Sequence, residues 1–429
     1  MAIRSGGVSA VSTLVLSTLL HAFTHAFAAM LVPLYLLMQA DLHLHGVQPA
    51  AIIVTVYGTV YMILSYPAGV MADRVSRKRM LGVGLVLNAV AIALMGLTRS
   101  YEVLIALAVL AGIAGTVFHP AANALVPEHF PKSPGMAIGL LGIGSGLGFF
   151  AGPQYAGWRA ESAHWHWQSV ANWQRPCLEL GAAGLVAGIL FLIFAKEARP
   201  KADRGGSVRI DPPALGKKLR WGVVATAAVL GCRDFAGVAC LTLASIYLQK
   251  AMKLDAKETG LIIGTMMLTG VVVNPLAVWL SPGRRRLPGL AIVLVIAGGT
   301  IATVPFVANR FELLIVLCVF QALQLGSYAM SDAGMLERVP ANVRGRVVGL
   351  FLSIAGTFAA LSPWVMGFWV DTMGDRAHER LSYLGPFGLL GAMMVIAAFS
   401  TPIIAKLGAP DEKAISPLSE IMPATLEIV

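Results

Sequence analysis

A chain of 429 residues that is 57% apolar and only 13% charged lacks the make-up of a soluble domain, in which about 25% of residues are charged. With a mean hydropathy of +0.75, the composition is that of an integral membrane protein. The formal net charge of +10 does not argue for nucleic acid, because the basic residues gather in loops between apolar runs, where membrane orientation accounts for them.

About 20 apolar residues cross a bilayer, and twelve such runs follow one another here: 11–38, 48–71, 79–98, 101–126, 135–158, 176–196, 219–249, 258–281, 287–307, 311–335, 345–370 and 383–406. The expected fold is therefore an all-α membrane protein of twelve transmembrane helices, numbered below as spans 1 to 12. No A-x-A site follows the first run, so it reads as a retained span rather than a cleaved signal. The longest polar stretch, Lys196 to Arg220, divides the chain. A six-helix half is expected at 1–196, a cytoplasmic linker at 197–218, a second six-helix half at 219–406, and a polar tail at 407–429. That tail carries Pro410, Pro417 and Pro423 and reads as disordered.

Lysine and arginine crowd one set of alternate loops, among them Arg74, Arg77, Lys78, Arg79, Arg284, Arg285 and Arg286. That bias places both termini on the cytoplasmic side of a bacterial-type inner membrane. The halves also match: a shift of about 208 residues lays span 1 on span 7 and span 4 on span 10, as in parallel-repeat transporters with a site at the repeat interface. The same shift brings Arg77-Lys78-Arg79 near Arg284-Arg285-Arg286, but the second copy has no acid before its bases.

The loop between spans 2 and 3 reads Gly69-x-x-x-Asp73-Arg74-x-Ser76-Arg77-Lys78. It resembles the signature of the major facilitator superfamily of secondary transporters, with Ser76 in place of a second Gly and Met71 in place of Leu. The resemblance implies two rocking halves and a latch: Asp73 would meet the positive N-terminal end of span 11 when the cytoplasmic side is closed. Gly69, Asp73, Arg74, Arg77, Lys78 and Arg79 are thus expected to gate. Phe118-His119-Pro120 on span 4, with His21 and Arg233, is similar to the fosmidomycin-resistance-like exporters. The span 5 glycines, including Gly144, Gly148 and Gly152 before Pro153, resemble the motif of proton-coupled antiporters. One departure is that Ala108 stands near where proton/drug antiporters often carry an intramembrane Arg.

Polar groups inside apolar runs are costly and are usually kept for function. His21 and His25, at i and i+4, share one face of span 1. They read as a proton-titrating or substrate-binding pair, or as two histidines bonded to neighbouring helices. No third ligand is evident at a helpful spacing, so no metal is expected. His119 precedes Pro120, which removes a helix bond; it is a hinge or a ligand, with Asn123 one turn on. Arg233 and Asp234 sit near mid-depth of span 7. Adjacent helical residues point about 100° apart, so they need not pair. Arg233 reads as an anion contact, or as part of an ion pair across the halves. Gln321, Gln324 and Tyr328 form a polar stripe on span 10. Asp332 is a proton carrier or, the favoured reading, a surface partner of Arg338 or Arg344.

The small residues Gly144, Gly148 and Gly152 allow close helix approach. Trp158, Trp165, Trp167 and Trp173, with His164 and His166, read as an interfacial aromatic belt, a metal site or an entry port. Cys177, Cys232, Cys240 and Cys318 show no ligand spacing and read as core residues. No Walker loop or HExxH motif occurs, and neither an enzyme nor a cofactor is expected. The reading is a monomeric, proton-coupled exporter of a small organic compound, anionic or amphipathic, working by alternating access in a lipid bilayer. The alternatives are an uptake permease or symporter for an organic acid or sugar, or a lipid translocator.

Overall fold

The computed structural model describes residues 8–72, 74–162, 170–197, 215–281, 285–340 and 343–407. Asp73, Trp165, Trp167, His164, His166, Arg284, most of the expected linker and the tail beyond Leu407 lie outside these residues. Every regular element described is helical. Eleven helices are long and apolar enough to cross a membrane, and a twelfth, Ala256–Leu280, stands in the place of span 8. Two sets of six result, as the apolar runs require.

Prolines set where the longer spans break. Span 1 changes at Val32–Leu34, around Pro33, from Val8–Ala29 to Tyr35–Asp41. Span 4, where a break is expected at Pro120, is two helices: Tyr101–Gly115 and Phe118–His129. Pro120 has no amide hydrogen for the Thr116 carbonyl, and its ring crowds that carbonyl, so the turn at Thr116–Val117 gives way. Span 11 likewise divides into Arg344–Ala360 and Ser362–Met373, just before Pro363.

Small residues bring the helices together. A Cβ on Gly144, Gly148 or Gly152 would strike the backbone of Thr18, Ala22 or Ala26, respectively. Spans 1 and 5 are therefore packed backbone to backbone, as small residues four apart permit. Across the two halves, Gly157 faces the Ala256 carbonyl, Gly260 that of Pro153, and Gly264 that of Phe150.

The repeat is visible in matched ion pairs. Arg77 binds Glu128 in the first half and Arg286 binds Glu337 in the second, each pair 51 residues apart. Each ties the loop after the second helix of its half to the end of the fourth. The two copies of the basic loop thus brace their own halves in the same way.

Contacts between the halves favour the end of the bundle away from the termini. There Asp371, at the end of span 11, accepts from the Val47 and Gln48 amides at the start of span 2, both at 2.8 Å. The Trp364 amide donates to Thr55 at 3.0 Å, and Ser245 donates to the Val32 carbonyl at 2.7 Å. At the termini end, a Cβ on Gly69, Gly135, Gly139, Gly142 or Gly345 would meet nothing within 4 Å. The described hydrogen bonds between the halves thus gather at the end away from the termini.

Candidate functional site

Two polar clusters occupy the middle of the bundle, one in each half. The first gathers three histidines. His21 and His25 come from one face of span 1, and His119 comes from the segment of span 4 just beyond its break. Their ring centroids lie 4.8 Å (His21–His25), 5.2 Å (His21–His119) and 5.6 Å (His25–His119) apart. His119 is the partner that spacing along the chain does not disclose, since it lies about a hundred positions away and the helix break aims it inward.

The hydrogen bonds fix much of the protonation pattern. His21 Nδ1 lies 2.8 Å from the Leu141 carbonyl, and a carbonyl oxygen only accepts. Nδ1 therefore carries the hydrogen, and in neutral His21 Nε2 holds a lone pair. His25 Nε2 stands 3.1 Å from that atom and must be the donor. The walls are aromatic: Phe118 stacks on His21 at 4.6 Å and Phe149 lies 4.4 Å from His25. His21 is buried, whereas His25 and His119 are half-buried. Asn123, expected beside His119, is exposed on the same helix.

The second cluster is built on Arg233, which is fully buried in span 7. Helical angles leave pairing with its neighbour open, and it does pair: Nε donates to Asp234 Oδ1 at 2.7 Å. The long side chain folds back across the angular gap. Its Nη1 donates to Ser331 at 2.8 Å, and its guanidinium carbon lies 3.7 Å above the Tyr328 ring, a cation–π contact. All these partners belong to the second half, so Arg233 is not an ion pair between halves. Its Nη2 has no partner among the described residues, and a buried donor without a partner costs about 1–3 kcal/mol.

The polar stripe on span 10 joins this cluster. Gln321 Nε2 donates to Gln324 Oε1 at 3.2 Å, and Tyr328, one turn beyond Gln324, supplies the ring under the Arg233 guanidinium. The expected surface partners of Asp332 are engaged elsewhere: Arg338 donates to the Gly334 carbonyl at 2.7 Å and Arg344 to that of Val339 at 3.2 Å. Asp332 itself is exposed, one turn beyond Tyr328 on the same helix. The cluster offers a cation with one uncommitted donor, an aromatic face, an acid and two amides. That set suits an oxyanion whose charge Arg233 balances and whose binding Asp234 can tune.

The residues expected to gate fall in three places. Arg77 braces Glu128; Ser76 and the Lys78 amide contact Glu197; Arg74 and Arg79 are exposed. Pro120 marks the break of span 4. Gly144, Gly148, Gly152 and Pro153 lie in the packed faces of span 5. Trp173 departs from the aromatic-belt reading: it is buried and donates to Asp41 at 3.0 Å, while Trp158 is exposed.

Residue spacing did not reveal Asp371 or the buried Arg159, which grips both oxygens of Glu179 at 2.8 Å. The signal for Asp371 was an acid at the end of span 11, the mirror of Asp73 at the end of span 2. These helices run antiparallel, which brings the end of span 11 beside the start of span 2.

A model of the Major Facilitator Superfamily matches residues 14–232 and 227–426. Over 233 residues the chain is 25% identical to the quinolone resistance protein NorA of Staphylococcus aureus (strain MRSA252), covering 54% of this chain and 56% of NorA. The match thus spans just over half the length of that relative. A longer match, 25% identical over 395 residues, covers 83% of this chain and 87% of the probable sulfoacetate transporter SauU of Cupriavidus necator. Among solved structures, a bacterial homologue of the human lysosomal transporter Spinster, inward-facing and unoccupied, superposes with a TM-score of 0.77. It is 16% identical, with 94% of this chain and 99% of that one covered. The nucleoside transporter NupG gives a TM-score of 0.70 at 13% identity, covering 92% and 100%.

Proposed function

The chain belongs to the Major Facilitator Superfamily, is a transporter rather than an enzyme, and from that premise we propose that it moves a small organic anion by proton-coupled alternating access. The observation that carries the reading is Arg233: a fully buried cation with one terminal nitrogen left without a partner. In a transporter that nitrogen is the natural seat for a carboxylate or sulfonate oxygen. The sulfoacetate transporter in the name of SauU supports an organic acid.

The histidine cluster supports coupling. A proton arriving at His119 or His25 can pass to His21 Nε2 while the Leu141 carbonyl holds that ring in place. On this reading the basic loops and both termini face the cytoplasm of a bacterial-type inner membrane. The end bonded through Asp371 is then the outer one, which supports an inward-open arrangement. Asp371 holds the outer side shut, and Asp73 latches the inner side in the opposite state. Export is the preferred direction, supported by the span 5 glycines and the partial match to NorA. Uptake of an organic acid is the second reading, favoured by the longer match to SauU.

Transport in proteoliposomes of known orientation tests these points together. An imposed pH gradient should drive accumulation of a short carboxylate or sulfonate, and Arg233→Gln should abolish it. Equal flux with and without the gradient would remove proton coupling. Undiminished binding in Arg233→Gln would remove the anion site.

A further inference from the structure

Two imidazoles at i and i+4 on one helix make half of a familiar metal site, and the missing part is a third donor from another element. In this chain His119 supplies it. The ligand nitrogens of His21, His25 and His119 all lie within 4.8 Å of one another. A tetrahedral ion with bonds of about 2.0–2.1 Å to nitrogen holds its ligands about 3.3–3.4 Å apart. The His21 and His25 Nε2 atoms, 3.1 Å apart, already stand close to that spacing. The nearest-nitrogen distances to His119 are within 4.8 Å, and His119 is the second residue of the segment that follows the break in span 4, where the backbone can give.

The surroundings also meet the second requirement of a metal site. A ligating histidine almost always donates its other ring N–H to a fixed acceptor, which sets the tautomer. His21 does this to the buried Leu141 carbonyl at 2.8 Å, so its Nε2 lone pair faces the other two rings. Among the described residues the cluster contains no carboxylate, which disfavours Mg²⁺ and Ca²⁺, ions that take oxygen ligands. An all-imidazole set instead suits zinc, cobalt, nickel or copper. His25 and His119 are half-buried, which leaves a way in and a fourth position for water or an anionic oxygen.

We infer that His21, His25 and His119 form a binding site for one divalent transition-metal ion of the Zn²⁺/Co²⁺/Ni²⁺ class. The ion ties span 1 to the second segment of span 4. Binding requires the Nε2 proton of His25 to leave to solvent or to move to Nδ1, so that Nε2 can donate its lone pair to the metal. The site uses the same rings as the proposed proton path, yet it requires neither export nor proton coupling.

The test is a titration of the purified, untagged full-length protein with Co²⁺, read by the visible absorption of tetrahedral cobalt, and with Zn²⁺ in equilibrium dialysis. Expected are one ion per chain, a tetrahedral cobalt spectrum that Zn²⁺ erases, and no displacement by Mg²⁺. His119→Asn should weaken Zn²⁺ binding about a hundredfold or more and abolish the cobalt spectrum. The double variant His43→Asn/His45→Asn, which alters two exposed histidines, should leave both intact. Thermal unfolding guards against a variant that fails to fold: Zn²⁺ should raise the Tm of the parent protein and of His43→Asn/His45→Asn, but not that of His25→Asn or His119→Asn. Stoichiometric binding that survives loss of all three histidines would overturn the site, as would its loss in the surface double variant or an octahedral cobalt spectrum. No transport is measured, so failure of the transport reading leaves this result standing, and the reverse.

Discussion

The two halves share a scaffold and differ at its centre. Arg77–Glu128 and Arg286–Glu337 brace equivalent corners with the same 51-residue separation, and the repeat shift lays His25 of span 1 on Asp234 of span 7. Around His25 stand two more imidazoles and aromatic walls; around Asp234 stand an arginine, a tyrosine and two amides. The frame is what duplication kept, because packing and loop bracing constrain it equally in both copies. The mid-depth side chains, which form a separate cluster in each half, are free to specialise. One half is suited to protons or a metal, the other to an anion.

The comparison breaks most sharply at Arg233. Arg233→Ala should strand Asp234 and destabilise the protein by about 3–5 kcal/mol, seen as a large fall in Tm. Arg233→Leu/Asp234→Leu should restore most of that stability, because replacing both members of a buried pair by apolar residues is often neutral. Anion affinity should stay about ten- to a hundredfold weaker in both variants, the worth of a charge-assisted hydrogen bond. Isothermal titration against a carboxylate panel separates the two effects.

Packing gives the next contrast, within span 5 itself. Gly148→Val places a side chain against the Ala22 backbone and should cost about 1–3 kcal/mol or more. Gly139→Ala, which points into open space, should be close to neutral in the same thermal melt. Equal losses at both positions would mean that span 5 is packed along its whole length.

Where span 11 meets span 2, Asp371→Asn weakens the cap on span 2. A charged acceptor at a helix N-terminus is worth about 0.5–2 kcal/mol, so on the proposed orientation the outward-open population should rise severalfold, measured by spin-label distances across spans 2 and 11. An unchanged distance distribution would remove Asp371 as a seal. Smallest of all, Glu128→Gln breaks an ion pair of a partly exposed arginine, worth about 0–1 kcal/mol. Glu337→Gln strips the carboxylate from the buried Arg286 and should cost more in the same thermal melt; equal losses would show that the burial of Arg286 adds nothing to its corner.

Spans, repeat and polar residues were legible because each is a local property: a run of apolar residues, a fixed offset, a charge where none is welcome. What was not legible depends on how helices meet. His119 joins His21 and His25 only once span 4 breaks at Thr116, and the Arg233–Asp234 pair forms because an arginine is long enough to fold back. Asp371 reads as an ordinary span end until span 2 is placed beside it. Trp173 looked interfacial by residue type but is buried through its bond to Asp41, a residue far away in the chain.

The break in span 4 has a mechanical consequence. Thr116 Oγ1 donates to the Tyr61 carbonyl at 2.8 Å, which pins the upper segment to span 2, while His119 lies on the lower segment beyond the joint. A tilt of the lower segment therefore swings the His119 ring toward or away from a fixed pair. Whatever occupies the three rings acts as a load on a lever whose fulcrum is Val117, so that chemical occupancy and helix angle become two readings of one coordinate.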